Sequence, residues 1–291
     1  MLFQGNWYII NCNVIFAAFC EKEGTTLGKR VLFPALALLG GAVGFGLRKW
    51  QWLSAYDRET ELFIKGSPAT YALLALLVVL VVDLLFSAGK LKQEEINLPL
   101  TCTEPLYMCL MASGAILFLG AGVLGLLEGM ELMEQYRAGM TMMASYPAAL
   151  LLCGGLCLVS GVCTFMVGKA AYRPGTVSGA GLCAVIPPFA MLVWLFATHQ
   201  EHATDPVLMR YGIYLAAAAL LLMAHYDVAA FYQNHRHTRR FLFCTLMGTA
   251  LAVTALADGL SMFQMAMAAA CVLSGLGQCV ALLSPVSNSE H

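Results

Sequence analysis

Eight apolar segments constrain the fold of this chain more than any other feature of its sequence. They cover residues 31–50, 68–88, 106–127, 147–168, 178–198, 207–231, 241–258 and 262–283. A helix of about 20 residues crosses the roughly 30 Å of hydrocarbon in a bilayer. Within lipid, a helix satisfies all of its own backbone hydrogen bonds. The sequence therefore predicts an all-α polytopic membrane protein, a bundle of about eight transmembrane helices in four up-down hairpins.

The composition excludes a soluble protein. Of the 291 residues, 60% are hydrophobic and only 11% are charged, whereas a soluble domain carries roughly 25% charged residues. Residues 27–291 are predicted to form a single transmembrane helical domain, because no stretch between the apolar segments is long enough for a soluble domain. The lipid bilayer is the expected partner, and a membrane-protein partner or a homo-oligomer stays open. Because the net charge is −1, we expect no nucleic-acid binding.

No motif in the sequence indicates catalysis or a cofactor. Most of the 11 cysteines fall inside apolar segments, without the spacing of a zinc site or a disulfide framework. P-loop, GxSxG, HExxH and dinucleotide-binding fingerprints do not occur on suitable loops. We therefore expect neither an enzyme nor a bound cofactor.

The basic residues of the loops predict the orientation in the membrane, because lysine and arginine accumulate on the cytoplasmic side. One side would hold ten of them: Lys22, Lys29, Arg30, Lys90, Lys92, Lys169, Arg173, Arg236, Arg239 and Arg240. The other would hold six: Arg48, Lys49, Arg58, Lys65, Arg137 and Arg210. The prediction is that both termini are cytoplasmic and that residues 199–205 lie outside.

The N-terminal segment does not fit this pattern. Residues 7–19 are apolar but too short to span a bilayer, and they lack the flanks of a signal peptide. One hypothesis is that translation begins at Leu27, so that residues 1–26 are a non-native and dispensable extension. The alternative is a short helix that lies in the membrane interface.

Three blocks carry a resemblance to a known family. They are residues 40–51 (GGAVGFGLRKWQ), residues 56–62 with 66–70 (YDRETEL and GSPAT), and residues 255–261 (ALADGLS). In these blocks the chain resembles an uncharacterised family of multi-pass membrane proteins from Gram-positive anaerobic bacteria. The resemblance implies a shared fold, with no known activity, and a native start near Leu27. The expected location is then the bacterial cytoplasmic membrane.

Acidic and histidine side chains near two predicted helix ends form a candidate outer acidic or metal patch. Its members are Glu128, Glu131, Glu134, His199 and His202. Carboxylates and imidazoles are common metal ligands, but solvated helix ends would carry the same residues. The sequence therefore assigns no metal to the patch.

Three further features suggest a function, and each also has a purely structural explanation. Tandem Pro187 and Pro188 predict a kink in the fifth helix, which either exposes carbonyl groups to a substrate or only shapes packing. His225, Tyr226 and Asp227 form a candidate inner polar cluster or an interfacial collar. The first outer loop, with an alternating pattern that predicts a small β-hairpin over residues 61–66, is either a recognition element or an interfacial anchor.

Two classes of function remain open on the sequence alone. The first is a small-solute permease-like component, favoured by the tandem prolines and the acidic outer patch. The alternative is a non-transporting membrane module such as a sensor, scaffold or accessory subunit. It is favoured because the ionisable residues lie within one to two turns of the predicted helix ends, where water or snorkelling reaches them.

Overall fold

The computed structural model describes residues 26–57, 59–60, 62–89, 100–139, 144–174, 179–202, 207–233, 235 and 237–284. Its eight long helices are α1 (Thr26–Ser54), α2 (Pro68–Gly89), α3 (Pro105–Arg137), α4 (Ser145–Tyr172), α5 (Ala180–Glu201), α6 (Leu208–Phe231), α7 (Thr238–Ala255) and α8 (Met262–Leu282). A short 3₁₀ turn, Leu256–Asp258, follows α7. All eight helices are long and apolar enough to cross a membrane, which confirms the predicted fold class.

Each helix covers one predicted apolar segment, with differences at the ends. The largest is in α3, which ends at Arg137 instead of the predicted residue 127. Helical geometry continues there because Glu128 to Arg137 contains good helix formers and a single glycine. The predicted extension covers residues 1–26, of which residues 1–25 lie outside the described residues. The apolar stretch of residues 7–19 lies outside them as well.

Helices α7 and α8 form the centre of the bundle. In each, 78% of the apolar span is buried inside the protein, against 22% in α2. Helix α8 packs on α3, α7, α6 and α1, while α7 packs on α6, α1 and α2. The apolar exterior of the other helices is the surface that lipid covers.

Glycines let the backbones of α3 and α4 approach closely. A Cβ atom on Gly154 of α4 would lie 3.0 Å from the carbonyl oxygen of Gly122 on α3. A Cβ atom on Gly161 would lie 2.8 Å from the carbonyl oxygen of Ala115. Small residues that bring backbones together are the usual means of helix association in lipid.

The bundle has two ends that carry different polar features. The hairpin end holds a two-stranded antiparallel sheet, β1 (Tyr56–Asp57) and β2 (Leu62–Phe63), in which Tyr56 lies opposite Phe63. The first loop does contain a small hairpin, but residues 61–66, predicted to form all of it, supply only its second strand. In its turn, the Asp57 carboxylate accepts hydrogen bonds from the Glu59 N–H and the Thr60 hydroxyl, which lower the pKa of Asp57. We call the opposite end, where α1 begins and α8 ends, the terminal end.

Candidate functional site at the hairpin end

Arg48 is the centre of a buried polar network. Its side chain is 1% exposed, and its Nε donates a hydrogen bond to Asp258 Oδ1 at 2.6 Å. Nη1 donates to Gln51 Oε1 at 2.6 Å, and Nη2 donates to the carbonyl oxygens of Met209 and Arg210 at 2.7 and 3.1 Å. One guanidinium group therefore joins α1, the start of α6 and the turn between α7 and α8.

The local sequence places each partner of this network. Gln51 follows Arg48 by three residues, so both side chains lie on one face of α1. The Gln51 amide in turn donates to the Thr70 hydroxyl of α2 at 2.9 Å. Asp258 closes the 3₁₀ turn, and Gly259 follows it at φ 76°, a left-handed conformation that glycine adopts without strain. Asp258 and Gly259 thus form the tight turn between α7 and α8.

An aromatic cluster attaches the β-hairpin to this network. Trp52 Nε1 donates to Asp258 Oδ1 at 2.8 Å. The Arg48 guanidinium lies 5.4 Å from the Trp52 ring centroid and 5.5 Å from that of Phe63, within the range of cation–π attraction. Tyr56 packs on both rings. Arg48, predicted to be one of the charges of the outer loop, is instead a buried and neutralised side chain.

A second polar cluster surrounds the N-terminus of α8. Ser261 and Gln264 form a reciprocal capping box, which satisfies two of the first free N–H groups of the helix. The Ser261 hydroxyl also donates to Glu128 Oε2 at 3.2 Å, and Gln264 Nε2 donates to Glu201 Oε2 at 2.7 Å. Two carboxylates, from α3 and α5, therefore lie beside the positive end of the α8 dipole, where negative charge is stabilising.

The structure separates the members of the predicted outer acidic or metal patch. Glu128 contacts α8, whereas Glu131, Glu134 and His199 are exposed. His202 stacks on Tyr211 with ring centroids 4.5 Å apart. Within the described residues, no three His, Cys, Asp or Glu side chains converge as metal ligands. Glu131 and Glu134 are exposed on α3, so the five residues do not form one metal site.

Metal ions should leave the stability of the polar cluster around the N-terminus of α8 unchanged. Since hydroxyl and amide donors already hold Glu128 and Glu201, we expect an unaltered melting temperature in detergent after chelation and after addition of Cu(I), Zn²⁺, Mn²⁺ or Ca²⁺. A ligand that binds only the folded state would raise it with concentration. A metal-dependent rise that Glu128→Gln abolishes, and that the exposed control Glu131→Gln retains, would contradict this expectation.

The three residues of the candidate inner polar cluster, near the terminal end, also lie in different environments. Successive helix positions differ by 100°, so its three side chains point in different directions. Asp227 is fully buried and forms a two-pronged ion pair with Arg240 at the start of α7. Tyr226 is 54% exposed on the outer surface. His225 faces the interior and is 6% exposed, which corrects the interpretation of this histidine as part of an interfacial collar.

Both ring nitrogens of His225 form hydrogen bonds. Its Nδ1 lies 2.9 Å from the carbonyl oxygen of Leu221, which can only accept, so Nδ1 carries a proton. Its Nε2 lies 2.8 Å from Ser274 Oγ on α8. The Ser274 hydroxyl also donates to the carbonyl oxygen of Ala270 at 2.7 Å. His225 thus bonds α6 to α8 two turns inside the bundle.

Pro187 and Pro188 are both buried within the continuous helix α5. Because proline has no N–H, the carbonyl groups of Cys183 and Ala184 lose their usual partners four residues on. Pro188 lines an open groove between α5 and α6. The predicted interruption therefore lies inside the helix, beside this groove.

Sequence reasoning missed two arrangements of polar residues. The first is the Arg48–Asp258 pair. Both residues lie at or near the ends of apolar segments, and the predicted topology places those two ends on the same side of the membrane. The second is a set of buried polar side chains between α3, α6, α7 and α8 that includes Tyr107, Thr245, Ser274 and Gln278. The spacing of Ser274 and Gln278, four residues apart on one helix face, was the available signal.

Comparison of the chain with protein-family models, with curated protein sequences and with solved structures finds no match.

Proposed function

We propose that this chain is a non-transporting module of the bacterial cytoplasmic membrane, such as a sensor or accessory subunit. Both termini would be cytoplasmic, and the hairpin end would face outward. The observation that carries the proposal is the centre of the bundle, where apolar side chains pack together and the buried charges near each end are paired.

The central packing supports this function because a permeating solute would have to displace it. Trp194 Nε1 donates to the Tyr214 hydroxyl at 2.9 Å between α5 and α6. On the other side, Cys157 of α4 contacts Met267 of α8, with the two sulfurs 3.5 Å apart. Trp194 and Tyr214 are large aromatic side chains, and all four residues are at most 1% exposed.

The paired charges also support an outward orientation of the hairpin end. Arg48 and Arg240 are each neutralised by a buried carboxylate. Removing Arg240 from the ten basic residues of one side leaves nine, and removing Arg48 from the six of the other leaves five. The terminal end keeps the excess of positive charge that favours the cytoplasm.

Labelling of single cysteines should reveal this orientation. In a chain without native cysteine, Ala203→Cys in the loop between α5 and α6 should react with a membrane-impermeant thiol reagent in intact cells. The matched variant Gln233→Cys, at the terminal end, should react only after lysis. The opposite labelling pattern would show that the topology is reversed.

Reactivity of the native central cysteines tests the packed centre. Cys157 and Cys271 are 0% exposed and lie in the middle of α4 and α8. In native membranes we expect a small charged thiosulfonate to leave both unmodified, as mapped by mass spectrometry, while Ala138→Cys at the exposed end of α3 reacts fully. Modification of Cys157 or Cys271 in the folded protein would show that water reaches the centre and would contradict a non-transporting module.

A small-solute permease is the second candidate, favoured by the tandem prolines and by buried His225. In that case the carbonyls of Cys183 and Ala184 would contact the solute, as in transporters with interrupted helices. Replacing both prolines with alanine would then abolish uptake while folding survives. If the prolines only shape packing, the double variant should match or exceed the wild-type melting temperature, because two helical hydrogen bonds return.

A further inference from the structure

A groove of about 600 Å³ lies between α5 and α6 on the outer surface of the bundle. Along α6 it extends from Leu222 to Ala230, a distance of about 12 Å at 1.5 Å per residue, and its lining continues past the helix end to Gln233. This length is comparable to half of the roughly 30 Å hydrocarbon thickness, so an acyl chain of one leaflet can lie along it.

The walls of the groove are apolar over most of this length. Pro188, Ala229 and Ala230 are buried small or compact residues, while Phe189 is 55% exposed and Met223 is 37% exposed. Small residues between larger exposed ones leave a channel that a flexible hydrocarbon chain fits. Since this surface faces the membrane, the channel opens to the bilayer.

The end of the groove nearest the terminal end is polar. Gln233, His235 and His237 line it, and the two imidazole rings are parallel with centroids 6.4 Å apart. Arg239 is exposed two residues further on. The groove is therefore apolar along most of its length, and side-chain hydrogen-bond donors with one exposed arginine lie at its polar end.

A neighbouring groove shows that apolar walls are not always accompanied by a polar end. It lies between α4 and α5, has a similar volume of about 590 Å³, and is lined by apolar residues with Ser145 as its polar member. It would accept any acyl chain, because it offers no group that distinguishes one headgroup from another.

We propose that the α5–α6 groove is a binding site for an anionic phospholipid. One acyl chain lies along Pro188, Met223 and Ala230, and the phosphate group is held by His235 and His237 with Arg239 nearby. Charge complementarity with Arg239 selects the anionic headgroup over a zwitterionic one, since an arginine near the membrane surface contributes about 1 kcal/mol to binding of acidic lipid. The proposal goes beyond the function proposed above and does not depend on it.

Lipid binding to the purified full-length protein tests this site. After lipid depletion in detergent, binding of phosphatidylglycerol and phosphatidylcholine with identical acyl chains would be compared by native mass spectrometry and melting temperature. We expect a preference for phosphatidylglycerol of roughly fivefold or more. The variant Arg239→Gln should reduce that preference while its lipid-free melting temperature stays unchanged.

Two further variants locate the site. Met223→Trp fills the α5–α6 groove and should remove the preference, whereas the matched control Ala148→Trp fills the α4–α5 groove and should retain it. Equal binding of both lipids by the wild type would overturn the proposal, as would a preference that survives Met223→Trp. Stabilisation of the same size by inorganic phosphate alone would show a free-anion site and overturn the lipid assignment.

Discussion

Replacing Asp258 with alanine should destabilise the folded chain by about 3–5 kcal/mol, the usual cost of leaving a buried charge without its partner. Arg48 is 1% exposed and Asp258 is 5% exposed, so neither side chain regains full solvation when the other is removed. Trp52 also loses the acceptor of its indole N–H. The change should appear as a lower free energy of unfolding in a mixed-micelle denaturation series.

The double variant Arg48→Ala/Asp258→Ala should lose less stability than the sum of the two single variants, because it leaves no unpaired charge in the network. Asp57→Ala is the matched control, since that carboxylate is on the exposed turn of the hairpin; we expect a change within about 0.5 kcal/mol. Additive losses in the double variant would show that the pair is not energetically coupled.

The second large effect concerns two adjacent glycines of α4. A Cβ atom on Gly154 would lie 2.9 Å from the backbone nitrogen of Leu126 and 3.0 Å from the carbonyl oxygen of Gly122. Backbone atoms cannot rotate away, so α3 and α4 must separate. Gly154→Ala should therefore destabilise the protein by about 1–3 kcal/mol, as overpacking does.

Gly155 provides the matched control for this prediction. A Cβ atom there meets nothing within 4 Å, and alanine is favoured over glycine inside a helix by roughly 0.5–1 kcal/mol. Gly155→Ala should leave the melting temperature unchanged or raise it. If Gly154→Ala and Gly155→Ala had the same effect, close contact between α3 and α4 would not be a source of stability.

The hairpin end illustrates why the candidate sites were harder to predict than the helices. Glu128, Glu131 and Glu134 share a charge and a spacing, yet only Glu128 contacts the N-terminus of α8. The hydrogen-bonding partner of Glu201 is Gln264, 63 positions along the chain. Both contacts depend on which helices are neighbours, and neither is encoded in the local spacing of charged residues.

The sequence by itself determined the membrane class and the eight spans. Both depend on a local property, the length and composition of an apolar segment relative to the bilayer. Only the tertiary structure decided that Arg48 meets Asp258, that His225 faces Ser274 while Tyr226 faces outward, and that α5 and α6 leave a groove. The physical reason is that lipid accepts apolar side chains on every face of a helix, so the sequence does not mark which face turns inward.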